Sequence, residues 1–531
     1  MAIAVDFGTS NTVVARWNPV TNAAETVALP GLSAASSAAS TPPLVPSLIY
    51  VEQPTPEGVV VGQAVRDRGL DVAADPRFFA NIKRGIGTPL QGFLPEVEGA
   101  ALTFEQLGEW FLRSLLAQVR TVAGSADSLV LTVPVDSFEA YRRWLGDVAT
   151  SLDFKEVRLI DEPTAAALGY GLTGEQTILV LDCGGGTLDW SLVRLVAPAQ
   201  KQPVGFLLKW RGQGAEQPSR QKPEVARVLA KAGENLGGAD IDQWLGAHFA
   251  AQGVPDSTVV QRLAERVKIA LSTQLEATEA YFDDETFETY DLALTRDQFE
   301  AILSQNQFFA RLEKSLTQVM QQGQRQGIDR EAIDAVLLVG GTAQIPAVQR
   351  WVIDRFGADL VRCDRPFEAV AQGALQIAQG LAIEDFLYHS YGIRFWDKRQ
   401  NRHGWHPILQ QGQPYPMGTP VEITLGASVE KQPSIELIIG ELGAASTQTE
   451  VYFDQGRLVT RQLGGDAPSV QPLNDREGAR TIAQLDPPGF PGSDRVRVLF
   501  RVDGDRQLRI TVEDILTGNT LLEDKPVVRL S

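Results

Sequence analysis

The sequence predicts an α/β protein that gives way to an all-β domain, and three observations carry that prediction. Through residues 1–385, continuous apolar runs alternate with amphipathic helical stretches, the pattern of sheets covered on both faces. After about Tyr391 apolar residues recur at period two, with Gly, Asp and Pro at the turns, as in antiparallel hairpins. Three of the apolar runs end in glycine-rich turns. At 531 residues the chain is too long for one core, and about 3 to 4 domains are expected.

The strand candidates of the first part are AIAVDF (2–7), SLVLTV (128–133), TILVLD (177–182) and AVLLVG (335–340). Helices are expected over 104–122, 137–152, 259–275 and 296–322, where apolar residues recur at helical spacing. Alternation of the two types implies α/β architecture. GLSAASSAASTPP (31–43) and the Gln-, Pro- and Gly-rich stretch 197–223 are read as loop insertions, since neither can bury much surface. In the β part, PVEITLGASVE (420–430), SIELIIGEL (434–442), TEVYFDQGRLVT (449–460) and RVRVLFRVDGDRQLRITVED (495–514) read as strands, with DQG and DGD as hairpin turns.

Composition narrows the partners. The net charge of −18 argues against nucleic acid and anionic membranes, which require Lys/Arg patches. Two cysteines cannot make a disulfide framework, so a reducing compartment is expected. The opening MAIAVDFGTS has no basic, apolar and cleavage-site regions of a signal peptide, and no apolar run approaches the ~20 residues of a membrane span. A cytoplasmic location follows as an expectation.

The glycine turns carry the chemistry. VDFGTSNT (5–12) is a strand ending in Asp6, then Gly8, then the hydroxyls Thr9 and Ser10 and the amide Asn11. LVLDCGGGTLDW (179–190) repeats that logic with Asp182, Gly184, Gly185, Gly186, Thr187 and Asp189. LLVGGTAQIP (337–346) is a third glycine turn after a strand. Glycines let backbone N–H groups approach phosphate oxygens, and hydroxyls add donors. Carboxylates such as Asp6 and Asp182 hold Mg²⁺, mostly through its waters. Two such hairpins face to face would clamp one nucleoside triphosphate. No GxxxxGK followed by Ser or Thr occurs, and no GxGxxG opens a helix after a strand, so the P-loop and Rossmann readings lose weight.

VDFGTSNTVVA, LTVPVDSFEAYRR, IDEPTAAALGYGL, LVLDCGGGTLDWSL, NLGGADID and LLVGGTAQIP occur in this order, and together they resemble the 70-kDa heat-shock chaperone family over nearly the whole chain. Actin and the sugar kinases share that nucleotide fold but not EPTAAALGYG. The resemblance implies an actin-like two-lobed ATPase with duplicated ribonuclease-H-like halves at 1–380. A linker at 381–390, with apolar LAIED at 381–385, and a β-sandwich peptide-binding domain at 391–531 follow. It also implies ATP/ADP and Mg²⁺ as ligands, extended apolar polypeptides as clients, and a J-domain co-chaperone and a nucleotide exchange factor as partners.

By motif, Asp6, Thr9, Ser10 and Asn11 belong to the first phosphate loop, and Asp182, Gly184, Gly185, Gly186 and Thr187 to the second. Thr187 and Asp189 would support the attacking water, and Glu162 would lie near metal and phosphates. Gly237, Gly238, Gly340 and Gly341 would border the nucleotide. Glu265 and Lys268 would reach the ribose and Ser272 the base. Pro134 and Arg142 match the switch that relays nucleotide state to the linker.

Three departures from the family pattern stand out. Arg66, in VGQAVRDRG, is placed at the family's γ-phosphate lysine, with Lys83 of ANIKRGIG as the alternative source of that charge. An arginine fork is not a point donor, which puts hydrolysis in question. Ile269 and Gln344 stand where the family stacks arginines on adenine, so weaker adenine affinity or looser base choice is expected. The chain stops after VVRLS without the family's helical lid, so faster peptide release is expected.

Plainer readings compete at several positions. Cys183 reads as a small apolar filler rather than a redox switch, and His403 and His406 as part of a turn before a strand rather than a metal pair. Glu162 could simply open a helix as a cap, and Asp189 could be a structural partner within its strand. Ile435 and Leu437 could line a peptide groove or pack in the core. The first functional expectation is an ATP-dependent chaperone for protein folding and stress response. The second is a nucleotide-gated peptide-binding module with little or no hydrolysis. An actin-like filament or small-molecule kinase ranks far behind, because a β domain is present.

Overall fold

The computed structural model describes residues 2–18, 20–34, 41–71, 75–87, 96–124, 126–134, 139–150, 152, 154, 156–172, 174–195, 206–209, 226–284, 286–378, 387, 389–397, 402–410, 413, 415–442, 448–454, 457–463, 470–474, 480–504 and 506–530. The chain divides into two compact units. One holds Met1–Val135, Gly146–Ile383 and Thr449–Gln462, the other Asp136–Leu145, Glu384–Gln448 and Leu463–Ser531.

The first unit is built on two sheets with the same strand order. In one, Ala2–Phe7 forms an antiparallel hairpin with Asn11–Asn18, which pairs Ala23–Thr26. On its other side Ala2–Phe7 pairs Ser128–Val133 in parallel, and that strand pairs Glu156–Asp161 in parallel. In the second sheet, Gln176–Cys183 forms a hairpin with Leu188–Leu195, which pairs Ala226–Glu234. Gln176–Cys183 then pairs Ala335–Val339 in parallel, and that strand pairs Val361–Arg362. All four strands expected from the apolar runs lie where the sequence put them. Their side chains are buried on both faces because helices cover both sides.

One core cluster joins the two sheets. Ala4, Val13, Val130 and Ile160 from the first pack with Ile178, Val180, Leu337 and Val339 from the second, around helices Glu162–Gly169 and Ala369–Ala378. Both helices are rich in Ala and Gly, and their backbones nearly touch. A methyl group on Gly169 would strike the Ala369 carbonyl, and one on Gly373 the Ala165 carbonyl.

One helical and one loop expectation change. The stretch 296–322 is two helices, Arg296–Gln305 and Phe308–Gln324. Gln307 between them takes the left-handed φ of 58°, which ends the first helix and lets Phe308 turn into the core. Within the 197–223 insertion, Phe206–Lys209 forms a strand on the edge of the first sheet, beside Glu156–Asp161; 196–205 and 210–225 lie outside the described residues. The linker 381–385 also lies outside them.

From Ser390 onward the second unit is antiparallel β. Val421–Gly426, Asp494–Val502, Gln507–Asp514 and Thr520–Arg529 form one sheet in that order. Val496, Val498, Phe500 and Val502 are buried while alternate residues face outward, the period-two pattern read from the sequence. Arg495 grips Asp514 with two hydrogen bonds of 2.9 and 2.8 Å in the interior. SIELIIGEL is split into Gln432–Leu437 and Ile439–Leu442, in different sheets. Ile435 and Leu437 are 5% and 2% exposed, so they pack in the core rather than present a surface. His403 and His406 sit within the strand Arg402–Leu409, not in a turn before it. The turn reading fails because the cross-strand pairs Trp396–His403 and Ile393–His406 extend the ladder through them.

Candidate functional site

Four carboxylates gather where the strands of the two sheets end. Asp6 closes Ala2–Phe7 and accepts a 2.7 Å hydrogen bond from Thr132 Oγ1. Asp182 stands directly across its hairpin from Asp189. Glu162 is the first residue of its helix, but it is not the cap: Asp161 accepts the Thr164 N–H at 2.8 Å. That leaves the Glu162 carboxylate to take Lys83 Nζ at 2.9 Å. Burial, with the Glu162 charge next, pushes Asp6 up to about 6, against the lowering pull of Lys83 and Thr132. Burial also raises Asp182 well above the usual carboxylate range, with Glu162, Asp189 and Asp6 adding to it. Like charges held together in a dry site favour a proton or a cation between them.

Lys83 is delivered by a short turn. Asn81 adopts φ 56°, a left-handed geometry Asn tolerates, and opens the 3₁₀ turn Ile82–Arg84. Buried Ile82 anchors the turn, and Lys83 and Arg84 then point to different acceptors. Arg84 Nη2 donates to the Gly186 carbonyl and, at 2.9 Å, to Asp240 Oδ2.

The glycine loop has every carbonyl tied back. The Gly184 oxygen accepts from Gly238 N at 3.0 Å and Thr342 Oγ1 at 2.8 Å. The Gly185 oxygen accepts from Ala239 N at 2.9 Å, and the Gly186 oxygen from Arg84. Gly184 N closes the turn on the Thr187 oxygen at 3.0 Å. Among the described residues the N–H groups of Gly185, Gly186 and Thr187 have no acceptor. The first loop is held the same way: buried Ser47 donates its hydroxyl to the Gly8 oxygen and its N–H to the Ser10 oxygen, both at 2.8 Å. The two loops face each other. A methyl group on Gly185 would strike Ser10, and one on Gly186 would come within 2.6 Å of Thr9 Cγ2. Gly340, at φ +86°, passes so close to Cys183 that no side chain fits. Gly237 and Gly238 meet the same loop from the helix Gly238–Ala251, and Gly341 lies in the third turn.

Beside the loops runs the helix Thr258–Leu271. Lys268 Nζ reaches the Gly238 carbonyl at 3.0 Å and Asp242 at 2.8 Å. Burial pushes Asp242 up to about 7, with Lys268 opposing. Glu265 takes Arg66 Nη2 at 2.6 Å, and Arg262 meets Asp71 at 3.2 Å. Arg66 is thus bound on the helix, whereas Lys83 is bound among the carboxylates. Ser272 Oγ donates to the Lys268 carbonyl at 3.3 Å, and Ile269 is 59% exposed. Cys183 is fully buried and its thiol pushed well up by burial, so it is inert packing. Pro134 follows its strand half-buried; the Arg142 side chain lies outside the described residues.

The family profile described as Hsp70 protein matches residues 86–198 and 223–397, more than half of the chain. The chain belongs to the Hsp70 family. It is 28% identical to "Chaperone protein DnaK" of Thermosipho africanus, over 97% of this chain and 78% of that one. It is also 28% identical to "Chaperone protein HscA" of Edwardsiella ictaluri, over 100% of this chain and 79% of that one. "Chaperone protein dnaK1" of Synechocystis is 30% identical over 80% of this chain and 56% of the other.

In this Hsp70 chain several site residues escaped the sequence reading. Thr132, Ser47, Thr342, Arg84 and Asp242 orient the loops and carboxylates rather than form motifs of their own. Arg84 was the nearest to legible, since it adjoins Lys83 in ANIKRGIG.

Among the described residues no group of three or more His, Cys, Asp or Glu side chains is arranged to ligate a metal directly, and no helix is long and apolar enough to cross a membrane. The cluster still favours a cation, and its pH dependence has a definite sign. A carboxyl raised to about 6 favours the folded chain below its unfolded value, and this contribution is lost as pH climbs through about 6. Cation uptake runs the other way, because it needs the ionised form. Mg²⁺ affinity, measured by calorimetry with a nucleotide present, is expected to fall roughly tenfold per pH unit below about 6.

Proposed function

We propose that this Hsp70 protein is an ATP-dependent chaperone, in which ATP binding and hydrolysis control the grip of the β domain on extended apolar polypeptide segments. The observation that carries this reading is the pair of opposed loops, with tied-back carbonyls and outward amides, beside four converging carboxylates. That donor set fits the phosphates of ATP or ADP and a hydrated Mg²⁺. The repeated strand order of the two sheets supports an actin-like ATPase with duplicated halves at 1–380, and the antiparallel sheets that follow support a β-sandwich from 391, with a linker at 381–390 as part of the same proposal.

Each residue has a role in this proposal. The N–H groups of Gly185, Gly186 and Thr187, with Thr9, Ser10 and Asn11 opposite, bind phosphate oxygens. Asp6 and Asp182 hold Mg²⁺ through its waters, and the ion, when bound, offsets the phosphate charge. Thr187 and Asp189 orient the attacking water. Lys83, fixed by Glu162, supplies the positive charge assigned above to Arg66. Arg66 instead closes the site against Glu265. Lys268, Glu265 and Ser272 border the nucleoside. A lysine at the carboxylates removes the main reason to favour a non-hydrolysing module. A J-domain co-chaperone, an exchange factor and a cytoplasmic setting belong to the same proposal.

The test is single-turnover phosphate release from pre-bound Mg-ATP, with occupancy checked and a fluorescent peptide bound. Slow release that disappears in Thr187→Ala, together with peptide ejection by ATP, is the expected result. Full occupancy without release would sink the ATPase reading.

A further inference from the structure

We infer that Arg84 is a positioning residue for phosphate transfer to water: one guanidinium holds both the Gly186 carbonyl and the Asp240 carboxylate, and so aims the Gly186–Thr187 peptide at the reacting phosphate. The inference rests on the ATPase reading above and adds a residue to it.

The loop is held by its carbonyls. The Gly184 and Gly185 carbonyls are tied by Gly238 and Ala239, at the start of the Gly238–Ala251 helix, and by Thr342 of the third glycine turn. The Gly186 carbonyl is tied by Arg84 alone among the described residues, from a segment 102 positions earlier. Rotation of the Gly186–Thr187 peptide is therefore set by Arg84. That peptide carries the Thr187 N–H and leads into the Thr187 side chain. A methyl group on Gly186 would lie 2.7 Å from Arg84 Nε, so the guanidinium lies close against the loop.

The second acceptor makes the hold rigid. Asp240 Oδ2 takes Arg84 at 2.9 Å and also the Gly237 N–H at 2.8 Å. Asp240 is thus fixed to its own helix start before it meets Arg84. The Arg84 side chain is only 8% exposed, where ionic hydrogen bonds are weakly screened. Nη2 serves both acceptors with its two hydrogens, whose directions are fixed in the guanidinium plane, whereas those of an ammonium turn freely about its stem. The same 3₁₀ turn places Lys83 on Glu162. One short turn therefore fixes the spacing between the carboxylates and the amide that faces the phosphate.

The experiment uses the full chain with Arg84→Gln, Arg84→Lys and Arg84→Gly. Single-turnover phosphate release, ADP affinity and thermal midpoint are measured together. Positioning predicts a fall of about 10- to 100-fold in release for Arg84→Gln, with ADP affinity changed by less than about threefold. Arg84→Lys should recover part of the rate, and free guanidinium should partly restore Arg84→Gly. Release within about twofold of wild type in Arg84→Gln, or a loss carried wholly by ADP affinity and thermal midpoint, would overturn the inference. If the wild-type chain binds ATP but releases no phosphate, the ATPase reading fails separately. The preference for ATP over ADP then decides: its loss in Arg84→Gln supports Arg84 as the aligner of the loop, and its retention refutes that.

Discussion

Lys83→Ala slows phosphate release from pre-bound Mg-ATP by about 10²- to 10³-fold, the usual cost of removing one preorganised charge from a water-poor site, while Arg66→Ala leaves that step within a few-fold. The contrast follows from where the two cations are bound. Lys83 sits among the carboxylates, 2.9 Å from Glu162, with a side chain 11% exposed. Its field already reaches Asp6 and Asp182 and draws both pKa values down against their burial. Arg66 is committed to Glu265 at 2.6 Å, its side chain 27% exposed. Its contact joins residues 199 positions apart, together with the Arg262–Asp71 pair. Breaking a partly exposed ion pair of this kind is worth about 1 kcal/mol. Arg66→Ala should therefore speed ADP dissociation by about 3- to 10-fold in a stopped-flow chase. Lys83→Arg keeps the charge and tests the need for a point donor; it should remain at least tenfold slow. Normal release in Lys83→Ala with a slow Arg66→Ala would return the catalytic role to Arg66.

The reassignment of that charge proposed above, from Arg66 to Lys83, has a physical basis. Arg66 and Lys83 lie 17 positions apart in a short, irregular stretch, and neither periodicity nor a long motif fixes its register. What separates them is the left-handed Asn81 and the turn it opens, a backbone event with no pattern to announce it. The loops were legible because glycine next to hydroxyl next to carboxylate is itself a chemical statement. Their supports were not: Ser47, Thr132 and Thr342 are single hydroxyls that matter only through a partner far along the chain. The core strands were legible because burial on both faces leaves only apolar residues to choose from. The break at Gln307 was not, since Gln305, Asn306 and Gln307 continue a helical pattern as well as they interrupt it. Ile435 and Leu437 show the converse. Alternation told that one face differs from the other, but not which face the core takes.

Gly185→Ala is expected to weaken ATP and ADP binding by at least about 30-fold while the chain stays folded, because the change fills the space between the loops and touches little else. Gly185 is not in the left-handed region, so alanine suits its backbone. The added methyl group would collide with Ser10 Oγ and stand 2.6 Å from Ser10 Cβ. The carbonyl of residue 185 keeps its tie to Ala239 N, so the loop is not released; it is pushed away from its partner. The gap that closes is the one the phosphates need. Equilibrium titration with a fluorescent nucleotide reads the loss, and circular dichroism confirms the fold. Ser10→Gly supplies the decisive second variant. It removes the two atoms nearest the new methyl group, and the next, Ser10 N at 3.4 Å, is an ordinary contact. Alone, Ser10→Gly should cost a few-fold in affinity through the lost hydroxyl donor. Combined with Gly185→Ala it should recover most of the lost binding, so the double-mutant cycle carries a coupling energy of about 1–2 kcal/mol. Additive losses in the cycle would mean that the two loops do not grip one ligand between them. The opposed-loop site would then fall, whatever the family.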